Sequence, residues 1–255
     1  FAGSETFKRK SHDYIKPMQA FSEYHSSKQK TLLNDEVIPE GYGPQESLQI
    51  ALDNLFNHAN VAPFITKQLI QRLITSNPTP QYIERVANVF NDNGNGVRGD
   101  LAAVIKAIYL DDEARHFGSV LSYQGKLKEP LLKTVQFWRN LDAKSLEGYY
   151  RTWNMFDNYG QGPMRSSSVF NFFRPDYQPA QLRDDELVAP ELQIAGDATL
   201  IGTMNEHFAD LVWSAAEGHN DLNSSGLYVY IKNDMNDPIE FLNEQPFDLI
   251  VTDYN

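Results

Sequence analysis

The loop of residues 91–100 carries five possible metal ligands, three asparagines and two aspartates. Asn91, Asn93 and Asn95 stand at positions 1, 3 and 5 of a calcium loop of the EF-hand type, and a glycine follows at position 6. Position 12, which should supply a bidentate glutamate, is an alanine. The alternative is an Asn/Gly turn in which Asp100 caps the next helix. Asn91, Asn93, Asn95 and Asp100 are therefore the calcium candidates, and the turn is the preferred interpretation.

The candidate catalytic set consists of His25, His58, Arg98 and Asp100. None of the six histidines forms an H-E-x-x-H motif or an i, i+4 pair, so any shared site requires residues distant in sequence to converge. A cleft that joins His25 or His58 to a carboxylate and a serine would indicate a hydrolase. The alternative is that each histidine is a structural hydrogen-bonding residue. Because cysteine is absent, a thiol nucleophile, thiolate zinc and disulfides are excluded.

Aromatic residues are concentrated between residues 149 and 177, where nine occur together with glycine, proline and serine. Such a composition predicts an ordered but irregular segment whose rings pack on neighbouring helices. The same rings could stack on the C–H faces of sugars. No P-loop and no glycine-rich dinucleotide motif is present, so phosphate sites of those types are not predicted.

Composition and charge limit the possible partners. The chain has 255 residues, of which 41% are hydrophobic, and these values are typical of a globular protein. Its net charge is −12, and residues 197–255 contain eleven acidic residues and one lysine. This acidic part would repel nucleic acid, whereas it would favour solubility or attract a cation or basic partner. No apolar run approaches the roughly 20 residues that cross a bilayer.

Apolar residues recur at helical spacing from residue 44 to residue 141, which predicts a helical core. Pro44 falls in the first turn of one helix, Thr79 can cap another, and Asp100 can cap a third. Five apolar side chains are expected to face the shared interior: Leu52, Ile65, Ile70, Val86 and Ile105.

The remaining segments complete a single domain over residues 1–255. Residues 1–40 read as a loop-rich entry with a possible short helix at 17–24, and residues 149–180 as the aromatic irregular segment. A helix is predicted over about 197–216 and a short strand over 226–231. The predicted fold class is therefore mostly α, with at most a small β-hairpin.

Five blocks in order resemble the bacterial family called domain of unknown function 1800. They are residues 43–90, 96–115, KEPLLKTVQFWR (128–139), SSVFNFFRPDYQP (167–179) and LVAPELQI (187–194). The resemblance implies a mostly helical, exported protein in the periplasm or outside the cell. Family members are longer, so the chain resembles a fragment, and it departs from them at His58-Ala59, where His-Pro is common.

The resemblance transfers no reaction, so three functional hypotheses stand. The first is an exported binding or scaffolding protein with a protein or polysaccharide partner. The second is an exported hydrolase, and the third is a structural domain stabilised by calcium. Nucleic acid is not a predicted partner, whether the chain is an enzyme is left open, and the sequence does not indicate an oligomeric state.

Overall fold

The computed structural model describes residues 17–116, 123–140, 155–162 and 164–214, with side chains to residue 208. The fold is mostly α, as predicted. The α-helices of these residues are α1 (Pro44–Asn57), α2 (Val61–Leu73), α3 (Pro80–Asn91), α4 (Leu101–Leu110), α5 (Asp112–Arg115), α6 (Pro130–Asn140), α7 (Met155–Tyr159) and α8 (Asp197–Ser214). Among the described helices, none has the length and apolar character that crossing a bilayer requires.

The entry segment contains a small antiparallel hairpin. Strand β1 (Lys30–Thr31) pairs with β2 (Val37–Ile38), with Lys30 opposite Ile38. Where a short helix was possible, the chain forms one turn of 3-10 helix, Ser22–Tyr24. The strand predicted over residues 226–231 lies outside the described residues.

Two predicted helix caps are confirmed. The hydroxyl of Thr79 accepts a hydrogen bond from the backbone amide of Tyr82 at 3.1 Å, at the start of α3. One carboxylate oxygen of Asp100 accepts from the amides of Ala102 and Ala103 at 3.0 and 3.1 Å, at the start of α4. Each cap satisfies amides that have no partner within the helix, so both helices begin where the local sequence predicts.

The chain divides into two compact units. The first contains Phe1–Thr66 and Glu84–Val104, and the second contains Lys67–Ile83 and Ile105–Asn255. The first unit buries a small apolar core: Ile38, Ala62, Val86, Phe90 and Val104. The second buries larger side chains: Ile70, Tyr82, Ile108, Trp138 and Tyr159. A single domain over residues 1–255 stays a prediction.

The predicted interior is correct only in part. Ile70 and Val86 are buried and Ile65 is half-buried. The prediction is wrong for Leu52 and Ile105, which are 50% and 42% exposed. Helical spacing shows which residues share a face, but it does not show how much of that face another element covers.

Helix α1 illustrates this difference. Its buried side chain is Ser47, whereas Leu55 and Phe56 on the apolar stripe are exposed. The stripe is therefore wider than the strip that its neighbours cover in the described part of the chain.

In the second unit α8 packs against α6 and α7. Gly202 permits the approach to α7, because a Cβ at this position would lie 3.0 Å from the Cα of Asn158. The hydroxyl of Thr203 donates to the carbonyl of Asn158 at 3.2 Å, and the Asn158 amide donates to Glu206. These contacts fix α7, a short helix, against the long helix α8.

Candidate functional site

The loop of residues 91–100 uses its polar side chains internally. The side-chain oxygen of Asn93 accepts from the backbone amide of Asn95 at 2.9 Å, and the side-chain nitrogen of Asn93 donates to the carboxylate of Asp100 at 2.7 Å. One oxygen of Asp92 accepts from two glycine amides of the same loop, each at 2.8 Å. The hydrogen bond from Asn93 is the main cause that lowers the pKa of Asp100 below its usual value.

Arg98 joins this loop to the end of α1. Its guanidinium donates to the side-chain oxygen of Asn91, to the carbonyl of Phe56 at 3.0 and 3.2 Å, and to the carbonyl of His58 at 3.4 Å. The guanidinium carbon also lies 5.4 and 5.2 Å from the ring centroids of Phe56 and Phe90. Arg98 therefore acts on backbone and rings, and the oxygen of Asn91 faces a cation of the protein itself.

The candidate catalytic residues meet only in part. Arg98 contacts His58 through the backbone carbonyl, while the His58 ring accepts from the amide of Asn60 at 3.2 Å. The ring of His25 instead lies 3.2 Å from the hydroxyl of Ser47 and 3.4 Å from the ammonium of Lys30. In the described residues, no hydrogen bond or ion pair joins His25 to His58, Arg98 or Asp100.

A metal centre made of histidine and carboxylate side chains is not seen in the described residues, where no three such groups come together. The calcium hypothesis also depends on amide and backbone oxygens, so it stays a prediction.

The second unit contains an open cleft of about 500 Å³, which we call the phenylalanine cleft. This volume lies within the range that small-molecule and oligomer sites occupy, about 300–1,000 Å³. Its lining residues come from α7, the turns that follow it and the start of α8: Phe156, Asp157, Gly160, Arg165, Ser167, Phe172, Gln193, Ile194, Gly196, Ala198 and Thr199.

Two aromatic rings form the apolar part of the phenylalanine cleft. Phe156 on α7 is 45% exposed and Phe172 is half-buried. Their neighbours Tyr159 and Phe173 are buried in the second unit. Among the described rings of this segment, Tyr159 and Phe173 thus pack into the core, and Phe156 and Phe172 remain available to a ligand.

The polar part of the phenylalanine cleft contains both paired side chains and side chains without a partner among the described residues. Within the described residues, the side chains of Asp157, Arg165 and Ser167 have no hydrogen-bond partner. The stem of Arg165 rests on Gly162, where an added Cβ would lie 3.3 Å from the Arg165 Cδ. The side-chain oxygen of Gln193 accepts from the backbone amide of Arg174 at 2.8 Å, and this bond orients the Gln193 side chain. The cleft therefore offers donors and acceptors beside two rings.

The start of α8 closes one end of the phenylalanine cleft. Gly196 precedes the helix and has no side chain with which to cap it. The hydroxyl of Thr199 donates to the carbonyl of Ile194 at 2.6 Å and holds the turn in place. Gly160 has a positive φ of 64°, and a Cβ there would lie 3.3 Å from Ile194. The local backbone thus requires glycine where α7 meets this turn.

The family model described as a protein of unknown function (DUF1800) matches residues 1–245. The chain belongs to the DUF1800 family. The resemblance stated from the sequence is therefore confirmed. No curated protein matches the chain, and no solved structure matches it.

This DUF1800 chain also holds a half-buried histidine, His207, on α8. The ring of His207 stacks on Phe137 with centroids 4.4 Å apart, and its Nε2 lies 3.0 Å from the hydroxyl of Thr134. Burial lowers the pKa of His207 to about 4, and the charge of Lys133 adds to the effect. His207 is therefore neutral at pH 7 and serves packing.

The sequence analysis of this DUF1800 chain identified residues 149–177 as an aromatic segment that could stack on sugars, but it did not single out Phe156 or Phe172. It also did not predict that polar residues join these rings in a cleft. Asp157, Arg165 and Gln193 are spread over 37 residues of irregular chain and form no motif. A signal was nonetheless present, because a serine, an arginine and an aspartate interrupt the aromatic segment.

Proposed function

We propose that this chain is an exported binding protein that holds a segment of polysaccharide in the phenylalanine cleft. One observation carries the proposal: two accessible phenylalanine rings line an open cleft. Beside them lie a carboxylate, a guanidinium and a hydroxyl that have no hydrogen-bond partner within the described residues. Export is inferred from the family resemblance.

A sugar chain fits the chemistry of this cleft. Pyranose rings present C–H faces that pack on Phe156 and Phe172, and their hydroxyls both donate and accept hydrogen bonds. Asp157 accepts, Arg165 donates and Ser167 can do either. Because the cleft is open to solvent, a bound segment of a longer chain can extend beyond it, which an enclosed metabolite pocket would not allow.

Binding is tested by titrating the protein with neutral and acidic oligosaccharides, such as hexamers of β-linked glucose, N-acetylglucosamine and galacturonate, in a calorimeter. Phe156→Ala should lower the affinity about 3- to 10-fold. Fully burying an exposed phenylalanine contributes about 1.5–3 kcal/mol, each 1.4 kcal/mol is tenfold, and only the exposed part of this ring, 45%, remains to be covered by a ligand.

The matched control is Phe64→Ala on α2 in the first unit. The two phenylalanines have nearly equal exposure, 45% for Phe156 and 47% for Phe64, so both variants remove a similar surface ring. Phe64→Ala should leave the affinity unchanged. Equal loss in the two variants, or no binding of any sugar by the native chain, would overturn the proposal. A protein captured through the cleft would favour a protein partner instead.

A second candidate, a hydrolase, is favoured by the contact between His25 and Ser47. A histidine within 3.2 Å of a serine hydroxyl can act as its general base. Ser47 is only 5% exposed, and Lys30 contacts the same ring nitrogen, so substrate access would require a change in structure. Covalent labelling by a fluorophosphonate that Ser47→Ala abolishes would support this candidate, and absence of labelling would reject it.

A further inference from the structure

The two rings of the phenylalanine cleft lie on separate parts of the chain. Phe156 belongs to α7, and Phe172 belongs to the turns that follow residue 164. Their spacing therefore depends on what holds these two parts from behind. Four polar side chains, buried or half-buried, contact these two parts: Gln71, Arg72, Glu129 and Gln161.

Arg72 of α2 holds the part that carries Phe172. Its guanidinium donates to the carbonyl of Phe170 at 2.6 Å and lies 4.0 Å from the ring centroid of Phe173. These two contacts flank Phe172 on either side in sequence. A planar guanidinium can make both at once, because its edge donates while its face stacks.

Gln71, the preceding residue of α2, adds a third anchor to the same part. Its side-chain amide donates to the carbonyl of Pro175 at 3.1 Å and to the carbonyl of Ser76 at 3.0 Å. Gln71 is itself buried, so this bond is shielded from water. Residues 170–175 are thus fixed to α2 at three points.

Glu129 links Arg72 to the other part of the cleft. One of its oxygens lies 3.7 Å from the guanidinium of Arg72, and the other accepts from the side chain of Gln161 at 2.5 Å. Gln161 is buried and directly follows Gly160, which lines the cleft at the end of α7. The carboxylate therefore joins the supports of both rings.

We propose that Arg72, Glu129 and Gln161, which we call the Glu129 network, are positioning residues that set the spacing of Phe156 and Phe172 for the bound sugar. The inference rests on the proposed function. The network holds both walls before the ligand arrives, so less ordering remains to be done on binding. None of its members is among the residues that line the cleft.

The test compares Arg72→Lys and Glu129→Gln with Arg174→Ala. Arg72→Lys keeps the charge but loses the stacked, forked geometry, and Glu129→Gln keeps a hydrogen-bonding group but loses the charge. Arg174 belongs to the same part as Phe172, but its ion pair with Asp176, at 2.7 Å, is exposed. It is thus the matched control, since it removes an arginine ion pair that does not reach the network.

Two readouts are measured in each variant. The first is sugar affinity by calorimetry, which should fall about 5- to 20-fold in Arg72→Lys and Glu129→Gln and stay unchanged in Arg174→Ala. The second is the distance between spin labels on cysteines introduced at Val169 and Ile201. Both side chains are exposed, and the chain has no other cysteine. This distance distribution should broaden only in the two network variants.

The outcomes separate this inference from the proposed function. If the native chain binds no sugar, the proposed function fails, and a broadened distance in Arg72→Lys still shows that the network positions the two parts. If the native chain binds and both network variants keep its affinity and its narrow distance, the positioning role is wrong. Should one network variant fail to fold, the other decides by the same two measurements.

Discussion

Polar side chains gather in two regions of the molecule, the loop of residues 91–100 and the phenylalanine cleft, and the two regions use them differently. In the loop, Asn93 and Asp100 bond to each other and to backbone amides. In the cleft, Asp157 and Arg165 have no hydrogen-bond partner within the described residues. The loop thus has its hydrogen bonds already, whereas the cleft can make new ones with a ligand.

This difference indicates which of the two regions is the better candidate for a ligand-binding site. A polar group with all its partners inside the protein stabilises the fold, and a ligand that competes for it must first break those bonds. A polar group that has no partner within the protein exchanges only hydrogen bonds to water when it binds a ligand. The number of possible ligand residues in a stretch of sequence therefore predicts a binding site less well than whether their side chains still have hydrogen-bonding capacity in the folded chain.

The largest expected effect concerns His207, whose partners also lie within the protein. The pKa of His207 is about 4 in the folded chain, below the usual 6.5. Between these two pH values the unfolded chain binds a proton at His207 that the native state does not bind. Stability is therefore complete above pH 6.5, falls as the pH drops toward 4, and loses up to about 3 kcal/mol over that window. Denaturant unfolding at several pH values measures the loss.

His207→Gln should flatten this pH dependence, because glutamine does not titrate and can still donate to Thr134. The control is His116→Gln, at a side chain that is 64% exposed. The control should keep the native profile. If both variants behave alike, burial of His207 does not govern the acid sensitivity.

The next effect in size separates two glycines of the loop. Gly99 has a φ of +79°, and a Cβ there would lie 2.7 Å from the ring of Phe56, whereas Gly94 has a φ of +91° and open space around it. Gly94→Ala should cost about 1 kcal/mol from backbone strain alone. Gly99→Ala should cost about 2–3 kcal/mol, because overpacking adds to the strain. Equal shifts in the denaturation midpoint would contradict the packing of Phe56 on the loop.

Local rules predicted the helix starts of this fold correctly, and the physical reason is short range. Thr79 and Asp100 lie within three residues of the amides that they cap, so the sequence contains the whole interaction. The exposure of Leu52 and Ile105 was not predictable in the same way. Burial depends on which distant segment covers a face, and the spacing of one helix does not encode its neighbour.

The candidate site followed the same division. The aromatic segment was visible as composition, and Phe156 and Phe172 lie within it. The Glu129 network was not visible, because Arg72 and Gln161 are separated by almost ninety residues and each is an ordinary polar residue of its own segment. Only the fold shows that one carboxylate reaches both.

A smaller loss is expected from Asp100→Ala. The variant removes the cap of α4 and the partner of Asn93, and it should lower the midpoint of denaturant unfolding. Asp53→Ala is the control, since the Asp53 carboxylate accepts from Gln49 on the exposed face of α1. Sugar affinity should be unchanged in both variants. A selective loss of sugar binding in Asp100→Ala would place the loop in the site and remove the distinction between the two regions.

The smallest expected effect is that of calcium on the melting temperature. Free calcium at 100 times the dissociation constant of a site would stabilise the fold by about 2.7 kcal/mol, which raises the melting temperature by several degrees. We expect no shift with millimolar calcium, because the oxygens of Asp92 and Asp100 already accept from amides and that of Asn91 faces Arg98. Magnesium serves as the charge-matched control. If calcium but not magnesium raises the melting temperature, and Asn93→Ala removes the rise, the loop exchanges its internal hydrogen bonds for a metal ion. Internal hydrogen bonding would then no longer distinguish the loop from the cleft.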